Sequence, residues 1–240
     1  MPSWQTAKGP MVLGHRGVRG ALPENSMMAF ENAIGVGAVG IECDIRLSRE
    51  GVPVIIHDGT VDRTTNGKGR VGDQSVDQLQ GWRLEGREAT IPTVEELFAR
   101  FGSNILYNLE MKEQNLWAHH CLKEVAKLIK KYQVAEQVLF SSFYPLSVWL
   151  SWLTMPKGVK IGMLYERIQG RSHHVWLPIE AIHPYHQFVT EGYMRWARQR
   201  GYLVNVWTVN EPAEGRRLAR LGVDGIITDK PEMMLAVVGE

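Results

Sequence analysis

The sequence predicts an α/β fold, a (β/α)8 TIM barrel with a small insertion after its second barrel strand. Three observations carry that expectation. Eight short apolar runs have strand character, helix-patterned segments separate most of them, and 240 residues suffice for one such barrel. The competing α/β architecture, a doubly wound open sheet, usually shows a glycine fingerprint after its first strand; none of that form is present.

The strands are read at "MVLGHR" (11–16), "GIECDIRL" (40–47), "NILYNLEMK" (104–112), "VLFSSF" (138–143), "KIGMLYE" (160–166), "AIHPY" (181–185), "LVNVWTV" (203–209) and "GIITD" (225–229). "PENSMMAFENAIGVG" opens on polar capping residues and closes on glycine, as a helix does. In "IPTVEELFARFG", Thr93 and Glu96 form a capping box. "LWAHHCLKEVAKLIKKYQ", "TEGYMRWARQRG" and "EPAEGRRLARLG" carry apolar residues at helical spacing. The run "VPVIIHD" follows "GIECDIRL" after only "SREG", too short a gap for a parallel crossover, so the two are expected to form an antiparallel hairpin. Residues 59–89, rich in Gly, Thr, Asp and Gln, then read as an insertion within a single domain spanning 1–240.

Composition narrows the function. With 44% hydrophobic and 22% charged residues the chain is ordinary globular protein, and a net charge of +1 offers no field for nucleic acid or an anionic membrane. No stretch approaches the about 20 apolar residues of a membrane span, and no signal peptide is visible at the start. Cys43 and Cys121 make neither a disulfide framework nor a metal-ligand spacing, so a reducing cytoplasm is the expected home.

The chemistry-bearing residues fall at strand ends. Side chains alternate across a strand, so Glu42 and Asp44 point into the barrel while Ile41, Cys43 and Ile45 point outward. Two inward carboxylates without cations would be costly, and a hard divalent metal is the economical partner. A hairpin turn at Arg49–Glu50 would return His57 opposite Glu42 or Cys43. "NLEMK" places Glu110 and Lys112 on one strand face, and "GHRG" places His15 and Arg16 at another strand end. Any one of these residues alone would read as a structural ion pair or a hydrogen-bonded core group. Seven together, at the face where barrel active sites lie, describe a phosphoester hydrolase. The acids hold a metal, the cations a phosphate, and the histidines move protons.

These residues resemble the glycerophosphodiester phosphodiesterase family. "HRG…PENS…AF", "IECDIRLSREGVPVIIHD", "DRTTNGKG", "IPTVEEL", "NLEMK", "SSF", "VWTVN" and "GVDGIITDKP" occur in that family's order across residues 14–231, with Ser26 where the family commonly has Thr. The resemblance implies metal-dependent hydrolysis of glycerophosphodiesters to sn-glycerol 3-phosphate and an alcohol. It implies Mg²⁺ or Ca²⁺ on Glu42, Asp44 and Glu110, His15 and His57 as the acid/base pair, and Arg16 and Lys112 on the phosphate. Trp207 and Phe143 are candidates for a substrate wall. Asn25 reads as a helix cap, Asp58 as a group that orients His57 or caps a turn, and "DRTTNGKG" as a structural loop. His119, His120, His173 and His174 are expected to face solvent, and His183 and His186 to lie near a strand end. The rivals are a phospholipase-type phosphodiesterase acting on whole lipids, which would want an exposed apolar rim, and a non-catalytic phosphodiester-binding barrel, which would not need histidines. Partners are small glycerophosphodiesters, with no nucleic acid and no membrane span; none of the seven residues recognises a head group, so broad acceptance of alcohols is expected.

Overall fold

The structure is a computed structural model, described for residues 1–4, 9–113, 116–166 and 176–238, the side chains of residues 116 and 117 excepted. Its elements run β1 (Met11–His15), α1 (Met27–Gly35), β2 (Gly40–Leu47), β3 (Pro53–Ile55), α2 (Val76–Gly81), α3 (Val94–Phe101), β4 (Leu106–Met111), α4 (Leu116–Tyr132), β5 (Val138–Ser142), α5 (Pro145–Thr154), β6 (Lys160–Tyr165), β7 (Ala181–Pro184), α6 (Glu191–Gln199), β8 (Leu203–Val206), α7 (Pro212–Leu221), β9 (Gly225–Thr228) and α8 (Pro231–Val238). Eight strands pair in parallel in the order β1-β9-β8-β7-β6-β5-β4-β2, and β1 pairs back onto β2, which closes the barrel.

The ninth strand explains how the site is built. β1 occupies one edge of β2 only along Gly40–Glu42. Farther up the same strand, β3 pairs antiparallel with it, Ile45 opposite Ile55 and Leu47 opposite Pro53. The Ile56 N–H still donates to the Asp44 carbonyl, so the register carries on and sets His57 opposite Cys43. The hairpin thus continues the rim above β1, beside His15.

The barrel interior is layered. An apolar floor of Leu13, Leu106, Leu139, Ala181 and Ile227 is plugged from below by Trp4, whose indole N–H donates to the Gln137 carbonyl at 3.0 Å. Above it lies a buried polar layer of Asn108, Ser141, His183 and Asn205. Gly162 makes room there, since a Cβ on it would stand 2.8 Å from His183 Nε2. Burial pushes the His183 pKa down to about 3, so this imidazole is neutral. The outward residues Ile41, Cys43 and Ile45 pack with Phe30 of α1, Phe98 of α3 and Leu122 of α4 in the main core.

The helices start where their capping residues allow. Ser26 Oγ accepts from the Ala29 N–H, and Thr93 and Glu96 close a capping box on α3. Between β3 and α3, α2 packs into a second apolar cluster with Val54, Ile56, Val61, Leu84 and Ile91. Among the described residues no α-helix lies between β6 and β7, and α5 leaves Leu146, Trp149, Trp152 and Leu153 exposed. His173 and His174 lie outside the described residues. His119 is half-buried and His120 exposed on α4. No described helix is long and apolar enough to cross a membrane.

Candidate active site

A cleft of about 270 Å³ opens at the C-terminal ends of the strands. His15, Arg16, Glu42, His57, Glu110, Lys112, Phe143 and Trp207 all line it, and Asp44 lies directly beneath with no exposed surface. All nine residues singled out by sequence therefore meet at one place. Most of the strands end one to three residues earlier than their extended pattern suggests. Arg16, Lys112, Phe143 and Trp207 lie just past those ends, where the chain leaves the ladder and the side chains turn over the mouth.

Three carboxylates form the floor. Ligand oxygens of Glu42, Asp44 and Glu110 lie within 4.8 Å of one another, and all three residues are buried. The register gives the reason: Glu42 pairs with Asn108 and Asp44 with Glu110, so these side chains enter the barrel on adjacent strands. Asp44 is held ionised despite complete burial, because Lys112 and Arg16 lie beside it. Arg16 Nε is 3.0 Å and Lys112 Nζ 3.1 Å from its oxygens. Lys112 also pairs with Glu110. Burial, with the Asp44 and Glu110 charges, pushes the Glu42 carboxyl far above its ordinary range, and burial also raises Glu110. Among the described residues no lysine or arginine side chain forms an ion pair with Glu42, and His15 Nε2 lies 3.9 Å from it. An all-oxygen donor set with one carboxylate uncompensated fits a hard divalent cation.

Asn25 is a correction to the sequence reading. Ser26, not Asn25, caps α1. Asn25 is buried and its Nδ2 donates to Asp44 Oδ2 at 2.8 Å. Both Asn25 (φ 57°) and Arg16 (φ 52°) adopt left-handed backbone, and the Asn25 N–H donates to the Arg16 carbonyl. Such strained non-glycine positions cluster at functional sites. They bring the "HRG" and "PENS" turns onto the same carboxylate.

Each histidine is held by a carboxylate. His57 Nδ1 and Asp58 Oδ1 are 2.7 Å apart, and Arg63 Nε donates to the other Asp58 oxygen at 2.6 Å. Hydrogen bonds from Arg63 and His57 hold Asp58 ionised against its partial burial. His15 Nδ1 and Asp229 Oδ1 are 2.7 Å apart, with Asn210 Nδ2 on the second oxygen at 2.6 Å. Asp229 is likewise held low against burial, chiefly by His15. An ionised carboxylate only accepts, so both histidines carry the proton on Nδ1 and turn Nε2 toward the cleft. Burial, with Arg16 and Lys112 nearby, lowers the His57 pKa below its ordinary value.

Sequence reasoning missed Asp229, Asn210, Glu24, Arg19 and Arg63. Glu24 is buried and takes Arg16, Arg19 and Arg63 at 3.0, 3.1 and 2.5 Å, which anchors the rim. Asp229 stands at a strand end like the other site residues, and that signal could have found it. Arg63 comes from the "DRTTNGKG" loop and had no strand signal. His186 pairs with Glu214 at 2.6 Å, outside the cleft lining.

Comparison with known proteins agrees with this geometry. Residues 15–233 match the model of the glycerophosphoryl diester phosphodiesterase family. A glycerophosphodiester phosphodiesterase of Caldanaerobacter subterraneus subsp. tengcongensis is 35% identical over 239 residues, covering 95% of this chain and 97% of the relative. The structure of an Oleispira antarctica phosphodiesterase in complex with the product sn-glycerol-3-phosphate is similar, with a TM-score of 0.85 and 25% identity, covering 97% of this chain and 98% of that one. A Thermotoga maritima glycerophosphodiester phosphodiesterase gives a TM-score of 0.81 at 29% identity, covering 96% and 99%. This chain therefore belongs to the glycerophosphoryl diester phosphodiesterase family, and its activity is that of a phosphodiesterase on glycerophosphodiesters.

Proposed function

We propose that the protein hydrolyses glycerophosphodiesters to sn-glycerol 3-phosphate and an alcohol, with His15 and His57 as the acid/base pair and a divalent cation at Glu42, Asp44 and Glu110. The observation that carries this reading is the convergence of two carboxylate-held histidines on the acidic triad within one cleft. A Mg²⁺ or Ca²⁺ bound there would offset charge on the phosphate oxygens.

The chain's own groups supply the rest. Arg16 and Lys112 stay charged despite burial, because Asp44 lies beside both, and both line the cleft, where they would hold the phosphate. One histidine Nε2 takes the proton of the glycerol 2-hydroxyl as that oxygen bonds to phosphorus. The other enters the step protonated on both ring nitrogens and gives its Nε2 proton to the departing alkoxide as the phosphorus–alcohol bond breaks. The five-membered cyclic phosphate is then opened by water with the roles reversed, restoring both histidines. Asp58 and Asp229 keep the two rings aimed during these transfers.

Of the rivals, a non-catalytic binding barrel does not account for two histidines held in a single tautomer. A phosphodiesterase on whole lipids shares the chemistry and differs in substrate. Two buried free thiols, Cys43 and Cys121, suit a reducing cytoplasm. The test is release of glycerol 3-phosphate from glycerophosphodiesters and from lysophospholipids, each with and without EDTA. Chelator-sensitive release from the water-soluble diesters is expected. Release without divalent cation, or from lipids alone, would overturn the reading.

A further inference from the structure

Arg16 and His57 sit on separate segments that meet a common anchor. β1 pairs with β2 only as far as Glu42, and farther up β3 occupies that edge. Among the described residues no backbone hydrogen bond joins the turn after β1 to β3 or to residues 56–70 that follow it. Above the β2 ladder, then, the spacing between the two segments falls to side chains. Glu24 supplies the tie. It is 3% exposed, and its Oε1 takes both Arg16 Nη1 at 3.0 Å and Arg63 Nη2 at 2.5 Å.

The tie continues to the proton carrier. Arg63 spans two carboxylates with its fork, Nη2 on Glu24 and Nε on Asp58 Oδ2 at 2.6 Å. The other Asp58 oxygen lies 2.7 Å from His57 Nδ1. The His57 and Asp58 side chains are 34% and 27% exposed, so packing alone does not fix them. A planar guanidinium engaged at both ends does. Burial would raise the Glu24 carboxyl, yet the Arg63 hydrogen bond and the charges of Arg16, Arg63 and Arg19 hold it below its ordinary value. A buried ion cluster adds little stability over apolar residues of similar volume. This one has two arms that end on groups lining the cleft, Arg16 and His57.

We propose that Glu24 and Arg63 are positioning residues for phosphodiester hydrolysis. Arg63 aims His57 through Asp58, and Glu24 holds Arg63 and Arg16 on one oxygen. The proton carrier and the phosphate-binding cation thereby keep a fixed spacing. Neither Glu24 nor Arg63 lines the cleft, so both act through the residues they hold. The inference rests on the roles proposed above for His57 and Arg16, and it gives the insertion that carries Arg63 a part in turnover.

The experiment measures kcat and KM on the glycerol ester of glycerol phosphate, using the full chain with divalent cation. Arg63→Gln, at a side chain 45% exposed, should lower kcat by about 10–100-fold with KM within about twofold, the usual cost of losing a group that orients a site residue. Arg63→Lys keeps the charge without the fork and should lose as much. Because Arg63 acts through Asp58, adding Arg63→Gln to Asp58→Asn should cost nothing beyond Asp58→Asn alone. Glu24→Gln should lower kcat as Arg63→Gln does and also raise KM, since Arg16 loses its hold; should this buried change prevent folding, the Arg63 variants decide. A normal kcat in Arg63→Gln or Arg63→Lys, losses that multiply in the double variant, or a loss confined to KM would overturn the proposal while leaving the phosphodiesterase reading intact. No release by the wild type would overturn both.

Discussion

His15 and His57 have one ring nitrogen each committed to a carboxylate, and the consequences differ from those of two free imidazoles. Losing the whole group tests its role: His57→Ala should lower kcat by about 10²–10⁴-fold, the usual share of general acid–base catalysis, with an unchanged circular-dichroism spectrum. A near-normal rate would make His57 structural. Asp58 tests positioning. Burial, Arg16 and Lys112 lower the His57 pKa, while the Asp44 charge and the Asp58 hydrogen bond raise it. Removing the Asp58 charge in Asp58→Asn must move to lower pH whichever limb of the kcat/KM profile His57 governs, in addition to reducing the rate. A profile in which neither limb moves to lower pH would show that Asp58 does not act through His57. Asp229→Asn should cost less than His15→Ala, since it misaims the ring without removing it. Equal losses would instead make Asp229 a direct participant. Much at this scale was legible: alternation along "GIECDIRL" put two carboxylates on one face, and alternation needs no tertiary knowledge. Asn25 was not, because a polar residue before a helix reads as a cap; only the fold reveals that Asp44 lies against it.

Strands and turns decide where those residues arrive. The hairpin was readable because four residues cannot carry a parallel crossover, and its register follows from the short turn. The strand ends were not. Extended, apolar-alternating sequence persists past the last continuous ladder pairing, where Trp207 keeps only an isolated bridge to Tyr185 and Lys112 a single backbone bond to Ile45. The "HRG" turn shows how tightly an element constrains the site. Gly17 has φ 89°, and a Cβ there would stand 2.6 Å from the Ala29 backbone of α1. Neither the left-handed backbone nor the contact with main-chain atoms can relax cheaply. Gly17→Ala should therefore destabilise by about 1–3 kcal/mol in urea denaturation, and should lower activity by displacing Arg16. A change within about 0.5 kcal/mol, the scatter of ordinary surface substitutions, would mean the turn adapts.

At the scale of the molecule, the barrel concentrates charge that its interior cannot neutralise. Glu24 is compensated by three arginines, Asp44 by Arg16 and Lys112, and Glu110 by Lys112. At Glu42, burial and the repulsion of Asp44 and Glu110 outweigh the attraction of Arg16 and Lys112. On the function proposed above, a fold that tolerates this holds a place for a cation at the expense of its own stability. Two consequences should appear together in thermal unfolding. Divalent cation should stabilise the wild type; a hundredfold excess over Kd contributes about 2.7 kcal/mol. At roughly 2–4 °C per kcal/mol for a chain of this size, Tm should rise by about 5–10 °C and fall back with EDTA. Glu42→Gln removes the uncompensated carboxyl but keeps an oxygen that can accept from the Arg16 N–H, a contact of 3.3 Å in the wild type. Without cation this variant should melt at or above the wild-type temperature, yet gain little from added cation and turn over substrate poorly. If Glu42→Gln instead melts well below the cation-free wild type, Glu42 is a structural acceptor and the strain assigned to it is absent. If its cation-induced rise in Tm matches the wild type, the ion is held without it.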